Sequence, residues 1–176
     1  MAKHANDSIA NDHARIVFLD RDGTINQFRP GYVKNLAEFV ILPDVARNLA
    51  RLSEKGFKLI VVTNQSAVGR GLLSQAELEK IHNFMIASLR SDGCKIDNIY
   101  YCPHTPRDHC FCRKPKIAML EKASREYGHI DLHNSWIIGD SNSDIKAGQL
   151  FGIRTLKIPT NTGLEYAVNY ILSEMG

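Results

Sequence analysis

Short, unbroken apolar runs that stop abruptly at polar clusters constrain this chain more than any other feature. Ile16 to Leu19, led by Arg15, ends in Asp20-Arg21-Asp22-Gly23; Phe57 to Val62 ends in Thr63-Asn64-Gln65; Trp136 to Ile138 ends in Gly139-Asp140. Runs this short and apolar suit strands buried on both faces. Between them, apolar residues recur at helical spacing. Val45, Leu49 and Leu52 share one face after Pro43-Asp44 and stop at Gly56. Ser74 and Glu77 form a capping box for a helix carrying Leu78, Ile81, Met85 and Leu89, closed by Asp92-Gly93. Pro115 opens another helix, with Ile117, Leu120 and Tyr127 inward and Gly128 as its stop. A weaker strand over 96–101, a helix near 143–150, a strand near 153–158 and a last helix near 163–173 complete the pattern. Alternation of this kind predicts an α/β fold of Rossmann type, with a central parallel sheet and helices on both faces.

A length of 176 residues holds one such domain, expected over 15–176, with residues 1–14 as a solvated N-terminal tail. That tail lacks the apolar stretch of a secretory signal, and no apolar run approaches the roughly 18 residues of a membrane span. The expected compartment is the cytoplasm, with no membrane partner and a monomeric chain. Lys plus Arg (22) exceed Asp plus Glu (19) by only 3, too little for an extended nucleic-acid surface but compatible with a local basic pocket for an anionic substrate.

The polar clusters supply the chemistry. Asp20, Thr63 and Asp140 each follow a strand, and in open parallel sheets ligands bind at the carboxyl ends of strands, where strand order reverses. Of two carboxylates two residues apart, Asp20 could attack phosphorus while Asp22 manages a proton; the plainer reading is an Asp-Gly turn. Thr63, Asn64 and Gln65 offer the neutral donors that phosphoryl oxygens require, or form an ordinary polar loop. Arg113 and Lys114, ahead of Pro115 at an expected helix start, oppose the macrodipole and so point to an anion held there. Asp140 and Asp144 supply further carboxylates, and acids facing a phosphate call for a cation, for which Mg²⁺ is the hard oxygen-seeking choice.

In order and spacing across residues 15–158, DRDGT (20–24), TNQS (63–66), RKP (113–115) and GDSNSD (139–144) resemble the haloacid dehalogenase (HAD) superfamily of aspartate-nucleophile phosphatases. The resemblance implies that Asp20 is the nucleophile and Asp22 the general acid/base. Mg²⁺ would be held by the Asp20 side chain, the Asp22 backbone carbonyl and Asp140, with Asp144 in support. Thr63 and Asn64 would bind the transferring phosphoryl group, Lys114 would bridge it to Asp20, and Arg113 would contact the leaving portion of the substrate.

Cys102-Pro103-His104 followed by Cys110-Phe111-Cys112 resembles the zinc-loop branch of that superfamily, the branch of heptose-bisphosphate and histidinol-phosphate phosphatases. Zinc also follows from the residues themselves. Ligands two apart in extended chain project to one side, so two hooks can close tetrahedrally, and Cys3His leaves no open position for water. The zinc of the 102–112 loop would be structural, with His109 as the substitute should His104 not ligate. Disulfides are disfavoured without an export signal, and Cys94 lies outside the set as a buried thiol. His82, inside a helix, reads as packing or surface hydrogen bonding. No large insertion makes a separate cap. The long connection 24–43 is expected to cover the site, and its Gly31-Tyr32-Val33 looks like the heptose-bisphosphate side of the branch. Arg29, Lys34 and Arg113 could meet a second phosphate, so a small sugar bisphosphate, with the 7-phosphate removed, is the expected substrate. Histidinol phosphate is the near alternative. A receiver-like domain phosphorylated by a partner and a nucleic-acid 3′-end phosphatase are the distant ones.

Overall fold

The computed structural model describes residues 13–175. Most of the tail expected over 1–14 lies outside the described residues; Ala14 pairs as an isolated bridge with Ile130. Five strands, β1 (Ile16–Leu19), β2 (Lys58–Asn64), β3 (Asn98–Cys102), β4 (Trp136–Gly139) and β5 (Arg154–Lys157), make one parallel sheet in the order β3-β2-β1-β4-β5. Six helices join them: α1 (Val45–Glu54), α2 (Ser66–Gly69), α3 (Gln75–Ser91), α4 (Ala118–Tyr127), α5 (Asn142–Phe151) and α6 (Glu165–Ser173). The expected α/β architecture is the observed one. No helix among the described residues is long and apolar enough to cross a membrane.

The period-two geometry of a strand explains why its runs are apolar throughout. Val17 and Leu19 of β1, with Leu59 and Val61 of β2, face a core built on α1, α3 and α6. Ile16, Phe18, Ile60 and Val62 face the opposite core, where α4 packs through Met119, Leu120 and Ala123. Each central strand therefore feeds two cores, and a polar residue inside it would open the one it faces.

Several boundaries differ from the expected ones, and each difference bears on the site. β2 runs on through Thr63 and Asn64, so these are the strand's last residues rather than a loop after it. β3 ends at Cys102, fixing the first thiol of the cysteine loop on the sheet. The helix expected to open at Pro115 begins at Ala118. Residues 113–116 are instead a turn closed by Lys116 N–H to Arg113 O at 2.9 Å, with a cis Lys114–Pro115 bond. Arg113 and Lys114 thus stand ahead of α4 and are placed by side-chain bonds rather than by its dipole. Half of the expected capping box forms, with Ser74 accepting from Glu77 N–H at 3.1 Å while the Glu77 side chain pairs with Lys80. Asp44, expected to open its own helix, caps α6 instead: its Oδ2 accepts from Leu164 and Glu165 N–H at 2.9 and 3.0 Å.

Candidate active site

Strand order reverses between β1 and β4, so the crevice above their carboxyl ends is the place this topology offers a ligand. Ladder pairing of Leu19 with Ile138 brings Asp20 and Asp140 side by side, and Asp20 N–H donates to Ile138 O at 3.0 Å. Gly23 follows at φ +85°, and a Cβ there would stand 2.3 Å from Asp140 Oδ2. Only glycine supplies both the left-handed turn and that closeness. A cleft of about 280 Å³ opens over this floor, lined by Asp20, Asp22, Thr63, Asn64, Gln65, Arg113, Lys114 and Asp140 and walled by Phe28, Arg29, Tyr32 and Val33.

Lys114 is the hub. It is 3% exposed, and its Nζ is surrounded by Asp20 Oδ1 at 2.9 Å, Val62 O at 2.6 Å and Asp144 Oδ1 at 2.5 Å. Asp20 and the Val62 carbonyl accept hydrogen bonds from the ammonium, and Asp144 pairs with its charge. Burial works against the charge, but Asp20 and Asp144 outweigh it and Lys114 holds its proton more tightly than usual. Asn64 seats the lysine: its Oδ1 accepts from Lys114 N–H at 3.0 Å and its Nδ2 donates to Lys114 O at 3.2 Å.

Asp20, Asp140 and Asp144 present carboxylate oxygens within 4.8 Å of one another. Burial raises the pKa of Asp20, an effect Lys114 opposes and Asp144 and Asp22 reinforce. Asp140 is raised too, chiefly by burial, against a hydrogen bond from Thr160 Oγ1 at 2.7 Å. Three crowded acids beside one lysine are short of positive charge, and hard oxygens at this spacing fit Mg²⁺. Asp144 stands at the back of the set, fully buried, its Oδ2 capping α5 through Ser141 N–H at 3.1 Å and Ser141 Oγ at 2.7 Å.

The Asp22 carboxylate stands outside that trio. Its oxygens accept from Arg21 Nη2 at 2.9 Å each, from Asn26 Nδ2 at 2.9 Å and from Gln65 Nε2 at 2.8 Å. Burial pushes its pKa up, yet the charge of Arg21 and these hydrogen bonds win and hold it below the ordinary value. Gln65 also donates to Thr63 Oγ1 at 2.9 Å. Its amide therefore orients two site residues, a role its place among phosphate donors did not suggest.

Arg21 and its support are what sequence reasoning missed. The guanidinium is 1% exposed, lies 5.6 Å from the Phe39 ring centre, and contacts His82 Nε2 at 3.3 Å. Arginine has no acceptor, so His82 must accept and be neutral. Burial, with the Arg21 charge, lowers its pKa from 6.5 to about 3. Between these values the unfolded chain binds a proton at His82 that the native chain does not, so stability is lost as pH falls through that window. His82→Gln, which keeps an acceptor but cannot titrate, should have a shallower acid limb in urea unfolding, by about 3 kcal/mol between pH 6.5 and pH 4. Parallel limbs would show that His82 is not held neutral.

Arg29 and Arg113 both line the cleft. Lys34 does not join them; it lines a neighbouring depression with Glu38. Arg113 Nη1 donates to Ser66 Oγ at 2.6 Å and to His104 O at 3.3 Å, tying the cleft to the cysteine loop. Arg70 reaches the mouth, its guanidinium 6.0 Å from the Tyr32 ring centre. Thr160, at the end of β5, is a further residue the strand-end rule would have found had it been applied to the fifth strand.

Behind the cleft, Cys102, His104, Cys110 and Cys112 converge. Cys102 Sγ lies 3.5 Å from Cys110 Sγ and 3.6 Å from His104 Nδ1; Cys112 Sγ lies 3.7 Å from Cys110 Sγ and 3.3 Å from His104 Nδ1. Ligands at about 2.0–2.3 Å on tetrahedral corners stand about 3.5–3.8 Å apart, so the set fits Zn²⁺. Burial and the neighbouring cysteines push the Cys102 thiol upward, a cost a cation would reverse. His109 is outside the cluster, in left-handed conformation after a short 3-10 turn.

Comparison with known proteins agrees with this geometry. A HAD-hydrolase-like family model matches residues 111–169. The D-glycero-β-D-manno-heptose-1,7-bisphosphate 7-phosphatase of Pseudomonas aeruginosa is 38% identical over 149 residues, 85% of this chain and 83% of its own. That of Escherichia coli K12 is 38% identical over 90% of this chain and 88% of its own. The D,D-heptose 1,7-bisphosphate phosphatase of B. bronchiseptica, solved with magnesium and phosphate, superposes with a TM-score of 0.78 at 31% identity over 91% of this chain and 99% of that one. Identity of 38% to relatives covered over more than four fifths of both chains makes this chain a member of the D-glycero-D-manno-heptose-1,7-bisphosphate 7-phosphatase family of HAD-like hydrolases.

Proposed function

We propose that the chain removes the 7-phosphate of D-glycero-D-manno-heptose 1,7-bisphosphate through a phosphorylated Asp20. The observation that carries the chemistry is Lys114 Nζ at 2.9 Å from Asp20 Oδ1, in a cleft with Asp140 and Asp144. An ammonium there neutralises the nucleophile enough for a dianion to approach and can follow the phosphoryl oxygens as they arrive. An Asp20 oxygen attacks phosphorus, the bond from phosphorus to the sugar oxygen breaks, and Asp22 gives that oxygen a proton. Asp22 then takes a proton from the water that attacks the acyl phosphate, releasing inorganic phosphate and restoring the Asp20 carboxylate. Asp22 is held ionised in the free site, as the second step requires; the charge of an arriving dianion beside it opposes Arg21 and favours the proton the first step needs. Thr63, in the cleft lining with its Oγ1 accepting from Gln65, offers its hydroxyl proton to a phosphoryl oxygen. Asp20, Asp140 and the Asp22 carbonyl, with Asp144 behind them, would hold Mg²⁺, which would supply the positive charge that lets carboxylates and phosphate share the site. Zn²⁺ on the four cysteine-loop ligands is structural.

The second phosphate is assigned to Arg29 and Arg113. No residue of the covering segment that lines the cleft is acidic, since Glu38 faces the neighbouring depression. A cationic histidinol amine would meet two guanidinium groups, and this disfavours that substrate. A receiver-like reading finds no support in the fold, whose order β3-β2-β1-β4-β5 is not the receiver order 2-1-3-4-5. Phosphate release from the two substrates side by side, with Mg²⁺, tests the assignment. The expected result is a kcat/KM higher for the bisphosphate by at least about tenfold, the worth of one charged contact. Preference for histidinol phosphate would remove the anion-binding role from Arg29 and Arg113 while leaving the chemistry.

A further inference from the structure

Residues 24–43 cover the cleft; their base is tied to the floor by Asn26, whose Nδ2 donates to Asp22 Oδ1 at 2.9 Å, whereas the polar hold on their tip is concentrated at one residue. The base of the segment closes on itself, with Gln27 N–H donating to Val40 O at 2.8 Å and Leu42 N–H to Ile25 O at 3.0 Å. The tip, residues 28–33, carries the wall that faces the substrate and is turned by Tyr32 N–H to Arg29 O at 3.0 Å, with Tyr32 at φ 66°. Among the described residues, one hydrogen bond joins this tip to anything outside the segment. Phe28 N–H donates to Asn161 Oδ1 at 2.7 Å. The Arg70 contact to Tyr32, at the outer limit of a cation–π distance, adds little to it.

Asn161 is itself bound to the floor. It lies between β5 and α6 at φ 65°, a left-handed conformation that asparagine tolerates better than most residues. Its N–H donates to Gly23 O at 2.9 Å, and its neighbour Thr160 holds Asp140. The backbone of Asn161 is thus fixed to the loop behind Asp20, and its side chain to the first residue of the wall. With Val33 buried in the apolar core at one end of the tip, Asn161 sets, at the other end, the span between the reacting phosphoryl group and the surface that meets the rest of the substrate.

We propose that Asn161 is a specificity-setting positioning residue, whose side-chain carbonyl holds the 28–33 wall at the distance from Asp20 that a bisphosphate spans. A monoester with no second anion draws on the wall less and is less affected by its loss. This rests on reading the cleft as a phosphatase site. Asn161→Gly keeps the left-handed backbone and the N–H to Gly23 while deleting the acceptor; Asn161→Asp restores an acceptor in the same conformation. Both are assayed with Mg²⁺ on heptose 1,7-bisphosphate and on p-nitrophenyl phosphate. In Asn161→Gly, KM for the bisphosphate should rise about five- to tenfold, the worth of one hydrogen bond, with kcat within about twofold. The ratio of kcat/KM values, bisphosphate over monoester, should fall about fivefold, and Asn161→Asp should recover it. A general loss of folded enzyme would lower both substrates equally and leave the ratio unmoved, which overturns the proposal. Wild-type protein that turned over neither substrate would instead overturn the phosphatase reading.

Discussion

Asp20→Asn should abolish phosphate release from every phosphomonoester the wild-type chain hydrolyses, by on the order of 10⁴–10⁶-fold, the scale measured when a covalent nucleophile is removed. The amide cannot form an acyl phosphate, and neither Asp144 nor Asp22 is free to substitute. Asp144 is fully buried and engaged with Ser141 and Lys114, while Asp22 is locked by Arg21, Asn26 and Gln65. The same substitution should stabilise the metal-free protein. Burial raises the pKa of Asp20 from the ordinary 3.8 to about 7, so between these values the native state binds a proton that the unfolded chain releases, and native stability declines as pH rises through that window. An asparagine carries no such charge, and Lys114 keeps Asp144 and the Val62 carbonyl as partners. Without Mg²⁺ the variant should melt above wild type at pH 8, with the gap closing towards pH 4; saturating Mg²⁺ should reverse the order, because it binds the wild-type carboxylate. Retained turnover would remove Asp20 from its role, and a variant melting below wild type at pH 8 without Mg²⁺ would show that burial of the Asp20 charge is not costly.

The strand-end acids and the cysteine loop were legible in the sequence because both are local patterns. A buried strand announces itself as an apolar run, and its carboxyl end as the polar cluster that breaks the run. A C-x-H and C-x-C pair needs only extended backbone to present its ligands. What stayed hidden depends on which distant elements meet. His82 carries the period of an amphipathic helix and nothing more, and only the packing of α3 beneath β1 brings it to Arg21, 61 residues away. Asp44 reads as the opening of α1, whereas the approach of α6 makes it a cap across 120 residues. Asn64 and Gln65 were read as donors to phosphate on residue type, and the structure turns their amides towards Lys114 and Asp22 instead. Lys34 shared its segment with Arg29, yet both line the neighbouring depression and Arg29 alone of the two also lines the cleft. Such partnerships are set by tertiary register, which a one-dimensional period does not contain.

Cys110→Ser is the substitution with the largest expected cost in stability. The four ligands come from the end of β3 and from a loop that otherwise has little to hold it: Cys102 is buried, but His104 is exposed and Cys110 and Cys112 are only half-buried. Folding that depends on a metal is lost with a ligand. The loop docks on α2 through Gly69 N–H to Pro103 O at 2.8 Å and through Arg113 to Ser66 and His104, and it leads directly into Lys114. Loosening it therefore releases the residue that neutralises Asp20. Loss on the order of 3 kcal/mol in a domain of this size corresponds to a Tm lower by about 6–12 °C. Zinc in the purified protein should fall from about one equivalent to near none. Hydrogen exchange should accelerate over 102–116 while β1, β2 and β4 stay protected, because those strands are held by two apolar cores to which the loop adds only Cys102, with Cys110 and Cys112 packed at the edge of one. His109→Ala should leave zinc content and Tm unchanged, since its ring is not among the ligands. A Cys110→Ser protein that melts with wild type, and a wild type that carries no zinc, would together make the cluster a set of ordinary thiols and leave Lys114 placed by Asn64, Asp20, Asp144 and the Val62 carbonyl without it.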